Sequence, residues 1–289
     1  RTPDVLCVKS NLLACFISKK ILSFLMKKYI ITLFLLANIL QLSSCSGSSS
    51  TSSDEDGEID RNALIESYTT HFKDLVFDNE NVANGIRPYK QKKDVKVFLH
   101  SSVSAEDKAI IDVFFTEINA FIPTDILAFS YVQSLEESTI SIINGGVALV
   151  KEVYGKDISP PEGRFGAAQP EDFDGECQRK KSQIWYRDVN GLGSELTGKY
   201  RVILLKHEIL HALGLHHFDR STQSIMKPYI NQISSSSMTE KDKMALTLLY
   251  YNGPFGEVAA NLDCQFYELQ NNEEQIIVNI VTNYLNSIL

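Results

Sequence analysis

Basic residues are scarce relative to acids: 28 Lys and Arg stand against 36 Asp and Glu, a formal net charge of −8 with a pI near 5.3. No Lys/Arg stripe follows a phosphate backbone, so no nucleic-acid partner is expected. Tryptophan occurs once and cysteine five times in 289 residues, and no internal repeat is visible. The most apolar run, Tyr29 to Leu40, is shorter than the roughly 20 residues that cross a bilayer. Histidine occurs six times, with none between His100 and His207. What is present, 44% hydrophobic and 22% charged residues, is the composition of a globular chain, neither disordered nor fibrous.

The N-terminal part carries an export pattern. Met26-Lys27-Lys28 supplies a basic region, Tyr29 to Leu40 an apolar region, and Leu42-Ser43-Ser44-Cys45 small residues before a cleavage point. Leu-Ser-Ser-Cys resembles the bacterial lipobox, whose Cys is lipidated on its thiol and becomes the new N-terminus. The alternative is an ordinary cleaved signal with an incidental Cys. Residues 1–25 read as an upstream extension, with the start at Met26. Six basic residues and one acid lie before Cys45, which leaves 22 basic against 35 acidic residues, a net charge of −13. So acidic a chain is repelled by anionic lipid and is expected on a membrane only through its lipid anchor. An exported lipoprotein of the outer membrane or cell surface follows, with the leaflet left open. Residues 45–58, Ser-rich and then acidic, form a flexible tether.

The patterning after the tether predicts α+β structure. Residues 59–93 form an N-terminal helical segment, with Leu64, Ile65, Tyr68, Phe72, Leu75 and Val76 at helical spacing. Val95 to Leu99 alternates as a strand. Ser104 to Asp107 resembles a capping box before a helix whose apolar face is Ile110, Ile111, Phe114, Phe115, Ile118 and Phe121, and Pro123 prevents its continuation. Further strands are expected at about 126–132, 139–143 and 183–188, with Asn144-Gly145-Gly146 as a turn. The C-terminal extension, 253–289, holds a helix with Ile276, Ile277, Ile280, Val281, Tyr284, Leu285 and Ile288 on one stripe, a packing surface.

The decisive segment is Lys206-His207-Glu208-Ile209-Leu210-His211-Ala212-Leu213-Gly214-Leu215-His216-His217, which holds four of the six histidines. On a helix, His207 and His211 stand at i and i+4 on one face and can share one metal ion. Glu208 lies about 100° round the helix from His207, beside the metal but off the ligand face. Gly214 ends the helix, since glycine adopts left-handed geometry cheaply. The chain then turns back to bring a third ligand, with spacing favouring His217 and His216 as the nearest competitor. Three neutral imidazoles leave a position for water, whose pKa zinc lowers towards about 7, with Glu208 as the general base.

This H-E-x-x-H-x-x-G-x-x-H segment resembles the zinc helix of the metzincin clan of metalloendopeptidases. Ser224-Ile225-Met226-Lys227-Pro228-Tyr229 resembles that clan's Met-turn, with Met226 as the apolar floor beneath the ligands. Within the clan the likeness is to matrixins, although Tyr229 follows Pro228 one residue early for the matrixin pattern. Met238 to Tyr250 resembles the closing helix, with Thr239 as N-cap and Asp242 at N3. Arg164 to Pro170 sits where the family places its substrate-pairing edge strand.

The resemblance implies a catalytic domain over 94–252. It would have a twisted, mostly parallel sheet with an antiparallel edge strand, two main helices above the zinc and a C-terminal helical subdomain. It also implies one catalytic Zn2+, a protein or peptide substrate cleaved by zinc-activated water, and substrate contacts at Gly166, Ala167, Ala168, Pro228 and Tyr229. Structural zinc is not expected, because the matrixin His ligands are missing upstream of His207, and calcium stays undecided. Cys177 and Cys264, the cysteines left after Cys45, pair as one disulfide in an exported protein or remain free thiols. A monomer is expected. Two other functions fit the motif: a surface-binding or adhesion lipoprotein with the fold but no turnover, and a zinc amide hydrolase acting on a non-protein substrate.

Overall fold

The computed structural model describes residues 60–77, 93–156, 163–173, 179–196, 198–220, 223–250 and 271–288. The signal segment 1–44, Cys45, the tether, and Cys177 and Cys264 lie outside them. In chain order the elements are α1 (Arg61–Phe77), β1 (Asp94–Leu99), α2 (Ala105–Asn119), β2 (Ala128–Val132), β3 (Ile140–Asn144), α3 (Val147–Tyr154), β4 (Gly166–Phe173), β5 (Arg179–Tyr186), α4 (Gly198–Leu213), α5 (Glu240–Tyr250) and α6 (Asn271–Ile288). A 3-10 turn, Ile230–Gln232, lies between α4 and α5.

The five strands form one sheet in the order β2-β1-β3-β5-β4. All neighbours are parallel except β4, which runs antiparallel to β5 from Gly166 opposite Tyr186 to Phe173 opposite Arg179. Parallel neighbours need long crossovers, and α2 supplies the one between β1 and β2. The central strands read as near-continuous buried runs, Ile140 to Ile143 in β3 and Ser182 to Tyr186 in β5, because helices cover both their faces. Val95, Val97, Ile140, Ile142, Ile184 and Tyr186 face the main core with α2 and α4. On the opposite face Trp185 packs with Val150, Tyr154 and Ala167 beneath α3.

Helix α3 is absent from the sequence expectation. The turn at Asn144-Gly145-Gly146 is present, but it feeds a helix that Gly155 closes at φ +68°. Val147-Ala148-Leu149-Val150 is a short apolar run that fits helix or strand equally, and the open sheet face decides between them. Strand β5 begins at Arg179 and ends at Tyr186, earlier than the 183–188 expected. Ile288 is 51% exposed and leaves the stripe of α6, whereas Ile277, Val281 and Leu285 are buried.

Helix α2 starts as its sequence suggests, with Ser104 Oγ accepting the Asp107 N–H at 3.0 Å. The Asp107 carboxylate turns back to the Ser104 hydroxyl, from which it accepts at 2.9 Å, rather than to the Ser104 backbone. It is fully buried, accepting from the Tyr186 hydroxyl at 2.8 Å and from Arg201 at 3.0 Å, and so ties α2, β5 and α4 together. Burial, with Asp107 beside it, pushes the Tyr186 phenol far above its ordinary range. The apolar face of α2 is as expected, with Ile111, Phe114, Phe115 and Ile118 buried. Each such side chain contributes about 1.5–3 kcal/mol.

Helices α1 and α6 join the same core rather than standing apart from it. Phe72, Leu75 and Val76 of α1 and Ile277, Val281 and Leu285 of α6 are buried in the main cluster. Helix α1 packs against both α5 and α6. Among the described residues no helix is long and apolar enough to cross a membrane.

Gly166 stands where the sheet leaves no room for a side chain. A Cβ there would meet the Trp185 carbonyl oxygen at 2.8 Å and Leu204 of α4 at 3.3 Å. The edge strand therefore lies directly against the helix that carries the histidines.

Candidate metal centre

Helix α4 buries Ile203, Leu204, Leu205, Ile209, Leu210 and Leu213 and presents His207 and His211 one turn apart. It ends in a Schellman motif: Gly214 takes φ +118°, its N–H donates to the His211 carbonyl at 3.0 Å, and the Leu215 N–H reaches the Leu210 carbonyl at 3.0 Å. The reversal brings His217 back over the helix, where its Nε2 stands 3.0 Å from that of His211. The same turn aims the Leu215 carbonyl at His211, accepting the Nδ1 proton at 2.7 Å.

His207, His211 and His217 form the one grouping of potential metal ligands found among the described residues. His207 Nδ1 donates to the Ile225 carbonyl at 2.8 Å. A carbonyl only accepts, so His207 and His211 both carry their proton on Nδ1 and leave bare lone pairs on Nε2. Those two Nε2 atoms are 3.0 Å apart. With no proton between them they repel unless a cation sits among them, and ligands of a tetrahedral zinc stand about 3.3 Å apart. The donor set fits a zinc ion. Burial lowers the His207 pKa to about 4, against the pull of its bond to Ile225. Burial and the neighbouring His207 and His217 hold His211 well below its usual value. Both imidazoles are therefore neutral at pH 7, the form that binds a metal.

Glu208 is 5% exposed, and its carboxylate accepts the backbone N–H of Ala168 in β4. Burial pushes its pKa up to about 8, opposed by that N–H and by the charge of Arg164. Ala168, expected as a substrate contact, is thus brought to Glu208, with Gly166 and Ala167 preceding it along the edge. Among the described residues no strand pairs with the outer side of β4. Pro228 is half-buried and Tyr229 is 63% exposed, both on the segment leading into the 3-10 turn that packs against α4.

Met226 is fully buried in the main core. Its turn is held from α5 by Asp242, which sequence reasoning placed only as a helix cap. The cap is formed: the Asp242 N–H reaches Thr239 Oγ1 at 3.1 Å, and the Thr239 N–H reaches Asp242 Oδ2 at 2.9 Å. The same carboxylate accepts Ser224 Oγ at 2.6 Å and His71 Nε2 at 2.9 Å. Burial alone would raise the Asp242 pKa, but His71, Ser224 and the Thr239 N–H outweigh it and hold it below the usual carboxylate range. Nothing in the sequence marked His71, a lone histidine on a helix otherwise read as packing.

A stability prediction follows from this sign. A carboxyl whose folded-state pKa is depressed stabilises above its unfolded value of about 3.9, and the contribution fades as pH falls through that range. Asp242→Asn should lose about 1.5–3 kcal/mol at pH 7, as bonds to a charged group do. In urea unfolding from pH 7 to pH 3, the gap between wild type and variant should close below about pH 4. A gap independent of pH would mean that the charge of Asp242 is not what stabilises.

An α+β domain with three converging imidazoles, a buried carboxylate one residue after the first, and an open antiparallel edge beside them has the parts of a metal-dependent hydrolase. The family model of the matrixin peptidases matches residues 124–251, from just before β2 to the end of α5. That segment holds all three histidines, Glu208 and Met226, and it is similar to a matrixin domain. It leaves α1, β1, α2 and α6 outside. No curated protein matches the chain.

Proposed function

We propose that the chain is a zinc-dependent endopeptidase, with His207, His211 and His217 as the metal ligands. The observation that carries this reading is the convergence of three Nε2 atoms, two of them with protons fixed on Nδ1 by backbone carbonyls, beside the buried Glu208. When bound, zinc supplies a Lewis acid that polarises a peptide carbonyl and acidifies water. Glu208 takes a proton from the attacking water and hands it to the leaving amine. The edge of β4 offers backbone donors and acceptors to an extended peptide, and the small side chains at Gly166, Ala167 and Ala168 let that peptide approach. Pro228 and Tyr229, on the segment leading into the turn that packs against α4, contact a substrate side chain in this reading.

The test is digestion of casein by the purified protein, with and without a zinc chelator. Loss of cleavage on chelation and its return with zinc support the reading. A protein that binds no zinc overturns the ligand assignment; one that binds zinc and cuts no peptide turns the reading to a binding lipoprotein or a zinc amide hydrolase of a non-protein substrate.

The proposal extends to location: export and anchorage through lipid on Cys45, with residues 46–58 as tether. Metabolic labelling with a radioactive fatty acid should mark the wild type and leave Cys45→Ser unlabelled. Equal labelling would place the lipid elsewhere or nowhere.

A further inference from the structure

Helix α1 lies outside the segment that matches matrixins, yet three residues on one of its faces engage the parts that carry the metal ligands. His71 Nε2 donates to Asp242. Asp74, fully buried, pairs with Arg220 at 2.9 Å. The Leu75 carbonyl accepts the N–H of His216 at 2.7 Å, inside the loop between the second and third histidines. Positions 71, 74 and 75 are i, i+3 and i+4, so one helical face makes all three contacts. The ring of Phe218 also packs on His71, with centroids 4.3 Å apart, while its N–H bonds the Met226 carbonyl at 2.8 Å.

His71 begins a continuous chain of hydrogen bonds to a ligand. Asp242 receives His71 and Ser224 on the same oxygen. Ser224 Oγ accepts the Met226 N–H at 3.0 Å and so shapes the turn. Between them the Ile225 carbonyl accepts the Nδ1 proton of His207. With His71 gone, Asp242 loses one of the donors that hold its carboxylate in a fully buried place, and the turn that aims His207 loses part of its anchor.

We propose that His71 of α1 is a positioning residue for the metal centre, acting through Asp242 and the Ser224–Met226 turn to orient His207. The inference rests on the zinc-peptidase reading. It makes α1 a working part of the site, although α1 precedes the matched segment. Only the Nε2 donor is used, because Nδ1 of His71 is buried without a hydrogen-bond partner. Glutamine carries a donor at the same reach, whereas leucine and the shorter asparagine do not.

The experiment compares wild type, His71→Leu, His71→Gln and His71→Asn. Zinc affinity is read by competition with a chromophoric chelator, kcat and KM from casein-derived peptide hydrolysis, and Tm without metal. Val281→Ala, a buried apolar residue of α6 with no part in the polar chain, serves as the control for lost packing. His71→Leu is expected to bind zinc more weakly by up to about tenfold, the lower end of the effect of removing a group bonded directly to a ligating histidine, because His71 acts two hydrogen bonds further back. Its kcat should fall while KM stays, since the β4 edge is untouched, and His71→Gln should recover both. Val281→Ala should lower Tm and leave zinc affinity as it is. Should His71→Leu fail to fold, the contrast between glutamine and asparagine decides. Equal zinc affinity in those two variants, or an equal loss in Val281→Ala, overturns the proposal. Wild type that neither binds zinc nor cleaves overturns the peptidase reading instead, so the two failures are distinct.

Discussion

Glu208→Gln should retain zinc and lose peptide cleavage, with kcat down by about 10²–10⁴, the usual range for removing a general acid–base group. The amide keeps the volume of the carboxylate at a position that is 5% exposed, so the fold should hold. It cannot take a proton from water at neutral pH, and it cannot deliver one to the leaving amine. Zinc should remain because the three imidazoles are unchanged. Titration of zinc against both proteins, alongside single-turnover cleavage of a fluorogenic peptide, separates the two functions. A variant that keeps cleavage at the wild-type rate would remove Glu208 from the proton path. One that also loses zinc would show the carboxylate to be part of the metal's own environment.

Zinc removal should have the second large effect, and His211→Ala should mimic it. His211 is the central member of the cluster, its Nε2 lying 3.0 Å from that of both His207 and His217. A metal that binds only the folded state stabilises by about 2.7 kcal/mol at a concentration one hundred times its Kd. For a domain of this size each kcal/mol moves Tm by about 2–4 °C. Adding zinc to the metal-free wild type should therefore raise Tm by about 5–10 °C. His211→Ala should show little zinc-dependent rise and no cleavage. The test is a thermal melt of each protein with and without the metal; an equal rise in the variant would move the binding site away from these histidines.

Local rules made the core of the candidate site legible. An i, i+4 histidine pair, a carboxylate between them and a helix-ending glycine need nothing but helix geometry to be brought together. The cap at Thr239 and Asp242 was equally readable, because its partners are three residues apart. Asp107 shows where such reasoning stops. Its position three residues after Ser104 signalled a cap, and Ser104 Oγ does donate to its carboxylate, but Tyr186 and Arg201, both distant in sequence, share that carboxylate once the core has closed. Helix α3 escaped for a related reason: Val150 and Tyr154 pack on the sheet face at Trp185, which the local pattern does not contain.

By itself the sequence determined the ligand-bearing helix, its left-handed end, the caps, and the alternating and continuous apolar runs that became strands. Each depends on residues within a turn or two of one another. Tertiary structure alone decided that Ala168 meets Glu208, that Ile225 orients the His207 imidazole, and that His71, Asp74 and Leu75 join a helix from before the matched segment to the Met226 turn and the ligand loop. These contacts link residues up to 171 positions apart, as in His71 to Asp242. Such pairs form only when burial of the common core brings their elements together, and no local period encodes them.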